Sequence, residues 1–229
     1  MSRKFQTLSA LTLLSLGCLG NASAHWLDGH NYAAIELGSN RVSQQNLYQQ
    51  GFNFVNIGFD NEFKVASARG ISIGRSLDIG PRIELSYSRR SNDIQSFGNR
   101  LYDGGGVLTG EGSEKLNAWM ANLWYDFDLK PFGLPIKPYI GAGLGRGRLE
   151  VKGLAAGGVS FGDASANVDV RQWGFGVSWD VSDALTLDLG HRRLLTSTGS
   201  FGNIPNIPPG NVEARYRAFT TQLGLRLKF

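Results

Sequence analysis

Residues 212–229 read Val-Glu-Ala-Arg-Tyr-Arg-Ala-Phe-Thr-Thr-Gln-Leu-Gly-Leu-Arg-Leu-Lys-Phe. From Phe219 onward the apolar residues Phe219, Leu223, Leu225, Leu227 and Phe229 fall on one face at period two, and Thr220, Gln222, Gly224, Arg226 and Lys228 take the other. Side chains alternate between the two faces of a β-strand, so this stretch predicts an amphipathic strand. It ends on an aromatic residue that lies on its apolar face.

The opposite end reads as an export signal. Arg3 and Lys4 form a positive start, Leu8 to Leu19 an apolar run, and Ala22-Ser23-Ala24 a small-residue cleavage site before His25. A dozen apolar residues fall short of the roughly 20 that a membrane helix requires. Cys18 lies within the apolar run, but Ser15-Leu16-Gly17 before it makes a poor lipid-attachment site. The expected organisation is therefore a cleaved signal peptide over residues 1–24 and one domain over residues 25–229.

Cys18 is the only cysteine of the 229 residues, so the expected mature domain has neither disulfides nor thiolate chemistry. His25, His30 and His191 are its only histidines, which argues against a structural zinc site. Removing Arg3 and Lys4 lowers the formal net charge from +4 to +2, too little to point to nucleic acid.

No apolar run of about 18 residues follows the signal, so no membrane helix is expected. Any integral protein made from this chain must then cross as a closed barrel, which leaves no backbone group unpaired in lipid. The composition agrees, with 31 Gly and 11% aromatic residues but a slightly polar mean hydropathy of −0.17. In such a barrel only alternate residues face lipid. A soluble sandwich or lipocalin-like barrel is the alternative.

Alternation predicts strands at about Asn31–Gly38, Lys64–Ser76, Arg82–Arg90, Lys115–Asp128, Lys137–Val151, Asn167–Val181 and Ala184–Leu195, followed by the closing strand. The tight turns are Asp78-Ile79-Gly80-Pro81, Lys130 to Pro135 and Ser182-Asp183; the long connections are Ser39–Glu62, Ser91–Gly112, Lys152–Ser165 and Thr196–Gly210. Long and short connections alternate strictly. That is the pattern of an all-β, transmembrane up-and-down antiparallel β-barrel of eight strands, with short periplasmic turns and longer extracellular loops. Ten strands remain open if Phe52 to Phe59 pairs with a neighbour.

With Lys137-Pro138-Tyr139-Ile140-Gly141-Ala142-Gly143-Leu144-Gly145, preceded by Asn117-Ala118-Trp119-Met120-Ala121-Asn122-Leu123-Trp124-Tyr125-Asp126-Phe127, the chain resembles the small outer-membrane β-barrel family. That family includes the transmembrane domain of outer-membrane protein A and the bacterial surface antigens. Leu187-Asp188-Leu189-Gly190-His191-Arg192 resembles its penultimate strand, with His191 where Tyr is more usual. The resemblance covers essentially residues 25–229. It implies eight strands around a lumen packed with polar side chains, and insertion by the barrel-assembly machinery, which reads a terminal aromatic such as Phe229. It does not imply anchoring to the cell wall, since no peptidoglycan-binding domain follows.

The motifs that suggest chemistry have plainer readings in this frame. Gly141 to Gly147 is glycine-rich like a dinucleotide loop, but Arg148-Leu149-Glu150-Val151 continues a strand where that loop needs a helix start. Glycines on the inner face of a narrow barrel make room for larger side chains opposite. Glu84, Asp126 and Asp188 share the polar face with Arg82, Arg192, Arg226 and Lys228, predicting an interior ion-pair network that leaves no continuous aqueous pore. Trp26, Trp119, Trp124, Trp173, Trp179, Tyr87, Tyr125 and Tyr139 are expected in interfacial girdles.

Lipid A deacylases of this size place a His two residues before a Ser-Asn pair, where it activates the serine. Here Ser39-Asn40 has Leu37 at that place and Ser91-Asn92 has Arg89. No residue is therefore singled out as catalytic, cofactor-binding or metal-ligating.

The expectation is a monomeric, non-enzymatic protein integral to the outer membrane of a Gram-negative bacterium, in contact with outer-membrane lipid and lipopolysaccharide. Its role is structural or surface-exposed, with adhesion or antigen function carried by the long loops through an unidentified extracellular partner. A small pore or solute channel is the first alternative and a lipid A-modifying enzyme the second.

Overall fold

A computed structural model describes residues 28–43, 45–50, 57–99, 107–156, 159–202 and 211–229. The expected signal peptide, His25 and Trp26 lie outside these residues. Eight strands form the barrel wall: β1 (Gly29–Val42), β4 (Ala66–Leu77), β5 (Pro81–Asn99), β6 (Val107–Asp126), β7 (Ile136–Ala156), β8 (Val159–Asp180), β9 (Leu185–Thr196) and β12 (Arg217–Lys228). Each pairs antiparallel with the next, and β1 pairs with β12 to close the cylinder. No helix among the described residues is long and apolar enough to cross a membrane. The wall has no free edge, which is what lets strands cross a bilayer with every backbone group paired.

The C-terminal stretch is the closing strand that its pattern predicts. Leu37 faces Leu223, Ile35 faces Leu225 and Ala33 faces Leu227 across the seam. Phe229 completes it through paired backbone hydrogen bonds with Asn31, at 2.9 and 3.1 Å. Around the wall, Ile71, Ile73, Ile83, Leu123, Leu144, Phe175 and Leu189 point outward and are about half or more exposed, giving the apolar belt that lipid covers.

Four further strands, β2 (Gln45–Gln50), β3 (Ile57–Phe63), β10 (Gly199–Ser200) and β11 (Asn211–Ala214), lie beyond one end of the cylinder. β3 pairs with the outer part of β5, β2 pairs with β3 and β11, and β10 pairs with β11. The Phe52–Phe59 stretch therefore adds no strands to the barrel: residues 57–59 extend the wall above it, and residues 52–56 lie outside the described residues.

The long connections are a correction to the sequence reading. Much of Ser91–Gly112 and Lys152–Ser165 is strand, because β5 runs to Asn99, β6 begins at Val107, β7 runs to Ala156 and β8 begins at Val159. Alternation missed them because the apolar phase inverts along each strand. On β7, Ile140 and Leu144 point outward, but Leu149 and Val151 point inward. On β12 and its approach, Leu223 and Leu225 point outward, but Ala214, Tyr216 and Ala218 point inward. Within the membrane the outside is lipid; above it the outside is water, so the apolar side chains move indoors.

Register shifts accompany the extensions, between Glu111 and Ser113 on β6 and between Val151 and Leu154 on β7. Gly112 (φ +127°) and Gly153 (φ +61°) occupy these bulges, where a side chain would be strained. The Gly153 N–H donates to Asp163 Oδ1 at 2.7 Å, tying the bulge to β8.

Candidate functional site

The lumen has two layers. In the periplasmic half, where the turns are tight, the expected acids and bases meet. Arg82 Nε pairs with Asp126 at 2.9 Å, and Arg226 Nη2 with Asp188 at 2.7 Å. Arg226 also donates to Ser178 Oγ at 3.0 Å, and Lys228 Nζ reaches Asp180 at 2.7 Å. Arg192 pairs with Glu36, a carboxylate that the sequence reading did not single out, at 2.5 Å.

Glu84 is held differently, by neutral donors. It accepts from Tyr32 Oη at 3.0 Å, Ser72 Oγ at 3.2 Å, Asn122 Nδ2 at 2.9 Å and Trp124 Nε1 at 3.2 Å. Trp124 and Tyr139 thus depart from the expected girdle. They are 1% and 4% exposed, point into the lumen, and meet edge to face at 5.7 Å. The Arg192 guanidinium lies 4.7 Å from the Trp124 ring and that of Arg226 5.2 Å from Tyr32, so cations and aromatic faces pack together. The other described girdle residues, Trp119, Trp173, Trp179, Tyr87 and Tyr125, face outward.

Glycines permit this filling. Gly141 and Gly143 on β7 face Trp124 and Asn122 on β6. A Cβ at Gly143 would collide with Asn122 Oδ1, and one at Gly141 with the Trp124 ring. The glycine-rich stretch runs on as strand without a helix, so it offers no phosphate cradle of the dinucleotide type.

The extracellular half of the lumen carries a buried apolar cluster that the expectation of a polar interior did not include, with Asn40, Arg90, Asn92 and Glu114 buried beside it. Leu116, Met120, Leu149, Val170, Leu194 and Tyr216 form one buried cluster. Ile94, Val151, Leu154, Val212 and Ala214 continue it upward, and Phe63 and Phe201 pack against both.

A polar knot accompanies the apolar cluster. Asn40 Nδ2 donates to Asn92 Oδ1 at 2.6 Å and to Tyr216 Oη at 2.7 Å. Tyr216 Oη donates to Asn92 Oδ1 at 3.0 Å, and Thr220 Oγ1 to Asn40 Oδ1 at 2.8 Å. The two Ser-Asn pairs considered for a deacylase therefore spend their asparagine side chains on the knot. A lumen cavity lined by Glu36, Gly70, Arg90 and Gln222 measures about 10 Å³, room for no more than one water.

His191 is on the outer wall, not in the lumen. It lies between Phe175 and Phe219, with ring centroids at 5.8 and 6.0 Å, and its Nδ1 is 3.0 Å from Thr221 Oγ1.

The outer rim carries a feature that alternation did not disclose. Beyond the apolar belt, toward the long hairpins, one of the next three outward positions on every barrel strand is a cation. Arg69, Arg89 and Arg41 stand on β4, β5 and β1, Arg146, Arg171 and Arg193 on β7, β8 and β9. Lys115 and Arg217 complete the ring on β6 and β12. Asp169 reaches Arg146 at 3.7 Å, and Glu150 reaches Arg148 at 3.5 Å.

A closed up-and-down barrel with an outward apolar belt, tight turns at one end and a filled interior is an integral outer-membrane barrel of Gram-negative type. The chain belongs to the outer membrane protein beta-barrel domain family, whose model matches residues 9–229. A sequence search of curated proteins finds no match. Among solved structures, the chain is similar to Neisserial surface protein A (NspA), with 20% identity, 87% of this chain and 97% of that one covered, and a TM-score of 0.49. It is also similar to the outer membrane protein OprG from Pseudomonas aeruginosa, with 11% identity, coverage of 88% and 98%, and a TM-score of 0.54. The attachment invasion locus protein Ail of Yersinia pestis matches at 12% identity, coverage of 87% and 99%, and a TM-score of 0.39. At these identities the likeness is one of fold.

Proposed function

We propose that this protein is a closed, non-enzymatic scaffold that displays its extracellular strands and loops for recognition, after loss of residues 1–24 and insertion as a monomer by the barrel-assembly machinery acting on Phe229. The observation that carries the reading is the filled lumen: ion pairs in the periplasmic half and a buried apolar cluster above them. An eight-stranded barrel is only wide enough to be filled by side chains. Transport through such an interior requires displacing buried ion pairs and packed side chains together.

Display is supported by the strands beyond the rim, where β2, β3, β10 and β11 brace the long hairpins against one another. A rigid base beneath exposed connections is the usual setting for an adhesive or antigenic surface. The position of His191 on the lipid-facing wall, between two phenylalanines, gives no serine a general base and speaks against lipid A deacylation.

The test is single-channel conductance of the purified, heat-modifiable protein in planar bilayers, with mass spectrometry of lipid A from cells that express it. A silent protein and unchanged lipid A are expected. Steady conductance would make the protein a small channel, and a loss of acyl mass from lipid A would make it an enzyme.

A further inference from the structure

The periplasmic mouth of the lumen carries a charge imbalance. Lys137, Asp180 and Lys228 point inward, in phase with Tyr139, Ser178 and Arg226 on their strands, and Lys130 reaches over from the turn before β7. All three lysines converge on the one carboxylate. Lys228 Nζ meets Asp180 Oδ1 at 2.7 Å, and Lys137 and Lys130 meet Oδ2 at 3.0 and 3.4 Å. Thr186 Oγ1 also donates to Oδ1, at 2.7 Å.

Among the described residues, no second carboxylate forms an ion pair with any of the three lysines. Asp183 stands on the neighbouring turn without reaching them, and the main-chain oxygen of Phe229 accepts from the Asn31 N–H. A carboxylate offers about four acceptor positions and an ammonium three donors. Asp180 is therefore fully subscribed, while each lysine gives it one donor and keeps two. Lys130 and Lys137 crowd a single oxygen, and the repulsion between them is only partly offset by the charge they share.

The spare donors line a vestibule of about 780 Å³, with His30 and Pro135 also in its wall. The tight turns around it place its opening on the periplasmic side. Lys228 and Lys137 are only 14% and 26% exposed, so their ammoniums are held at this wall and do not range through solvent.

We propose that the vestibule is a binding site for a phosphate monoester, held by Lys130, Lys137 and Lys228 beneath the ion pairs that fill the lumen. Charge selects this class. Three ammoniums against one carboxylate leave two positive charges, and a phosphate monoester brings close to two negative charges and three strong acceptor oxygens. A carboxylate ligand or a phosphodiester brings one charge and two free oxygens, half of the charge that the lysines leave open. The vestibule is larger than one phosphate, so the group arrives on a larger body. That body is a soluble phosphorylated compound of the periplasm, or a phosphatidate headgroup of the inner leaflet reaching over the short turn at Ser182-Asp183.

The test is a phosphorus NMR titration of inorganic phosphate, as the dianion at about pH 8, into the whole mature protein in maltoside detergent, with acetate as competitor. Native mass spectrometry with phosphatidic acid and with phosphatidylglycerol separates the two sources. Proteins compared are the wild type, Lys137→Gln/Lys228→Gln, Asp180→Asn, and the control Lys152→Gln, whose lysine lies toward the extracellular end of β7. Heat-modifiable migration in gels confirms that each variant is folded.

Inorganic phosphate is expected to bind the wild type and the control alike, and acetate to displace it poorly. The double variant is expected to lose roughly tenfold or more in affinity, the scale of one or two charge-assisted hydrogen bonds. Asp180→Asn is expected to bind phosphate more tightly, on the order of fivefold, because the competing charge is gone. Lysines that serve only to neutralise Asp180 would give no such gain, and that result would overturn the proposal. An equal loss in Lys152→Gln, displacement by acetate at equal concentration, or no binding of either inorganic phosphate or phosphatidic acid would overturn it too. Retention of phosphatidic acid over phosphatidylglycerol, lost in the double variant, would assign the site to the lipid source; binding of inorganic phosphate without such retention would assign it to the soluble one.

Discussion

Arg192 on β9 reaches past β12 to hold Glu36 on β1, through Nη2 to Oε1 at 2.5 Å and Nη1 to Oε2 at 3.2 Å. The pair spans the seam on its inner side, where β12 contributes only Gly224 between Glu36 and Asp188. Removing one partner strands the other charge at a site where both side chains are largely buried. Arg192→Ala is expected to lower unfolding free energy by about 3–5 kcal/mol, read from tryptophan fluorescence in urea with the protein in lipid vesicles. Glu36→Ala/Arg192→Ala is expected to lose much less than the sum of the two single changes. A double variant that loses the full sum would show that the two residues act independently.

Sequence carried the outward half of this architecture and much less of the inward half. Leu223, Leu225 and Leu227 alternate because lipid demands one apolar face, and no tertiary knowledge is needed to see it. Glu84, Asp126 and Arg226 were legible as interior charges for the same reason. Trp124 was not, because an aromatic residue next to Leu123 and Tyr125 reads as girdle until the glycines of β7 are known to face it. The extended hairpins stayed hidden because Leu149 and Val151 are out of phase with Ile140 and Leu144. A pattern that changes phase looks like a pattern that ends. The cation ring escaped for a third reason: Arg69 and Arg89 sit in different strands, and only the register of β4 against β5 makes them neighbours.

Gly143 tests the claim that small residues on β7 make the lumen fit. Its Cβ would run into Asn122, which itself donates to Glu84 and Ser86, both at 2.9 Å. Gly143→Ala is expected to destabilise the barrel by about 1–3 kcal/mol, the usual cost of overpacking. Asn122→Ala added to it is expected to restore part of that loss, measured by the same urea titration. If the second change only adds to the damage, steric conflict with Asn122 is not the cause.

Tyr216 closes the polar knot. Tyr216→Phe keeps the ring in the apolar cluster but removes the hydroxyl shared by Asn40 and Asn92. A buried polar group left without a partner costs about 1–3 kcal/mol. The expected signature is local: faster amide exchange in the extracellular parts of β1 and β5, with the periplasmic halves of β8 and β9 unchanged. Uniformly faster exchange would mean that the knot supports the whole barrel.

The two lumen layers act as closures in series, which makes a strong prediction about conductance. Met120→Ala/Leu149→Ala/Leu194→Ala removes bulk from the apolar cluster, with each Leu→Ala change costing about 2–5 kcal/mol. The ion pairs beneath remain, so this variant is expected to stay silent in planar bilayers. Arg82→Ala/Arg226→Ala opens the periplasmic layer by freeing Asp126 and Asp188, yet the apolar layer above still excludes water and ions. Only the combination of both sets is expected to conduct, in a folded protein confirmed by heat-modifiable migration. Conductance from either set alone would show that one layer, and not two, holds the barrel shut.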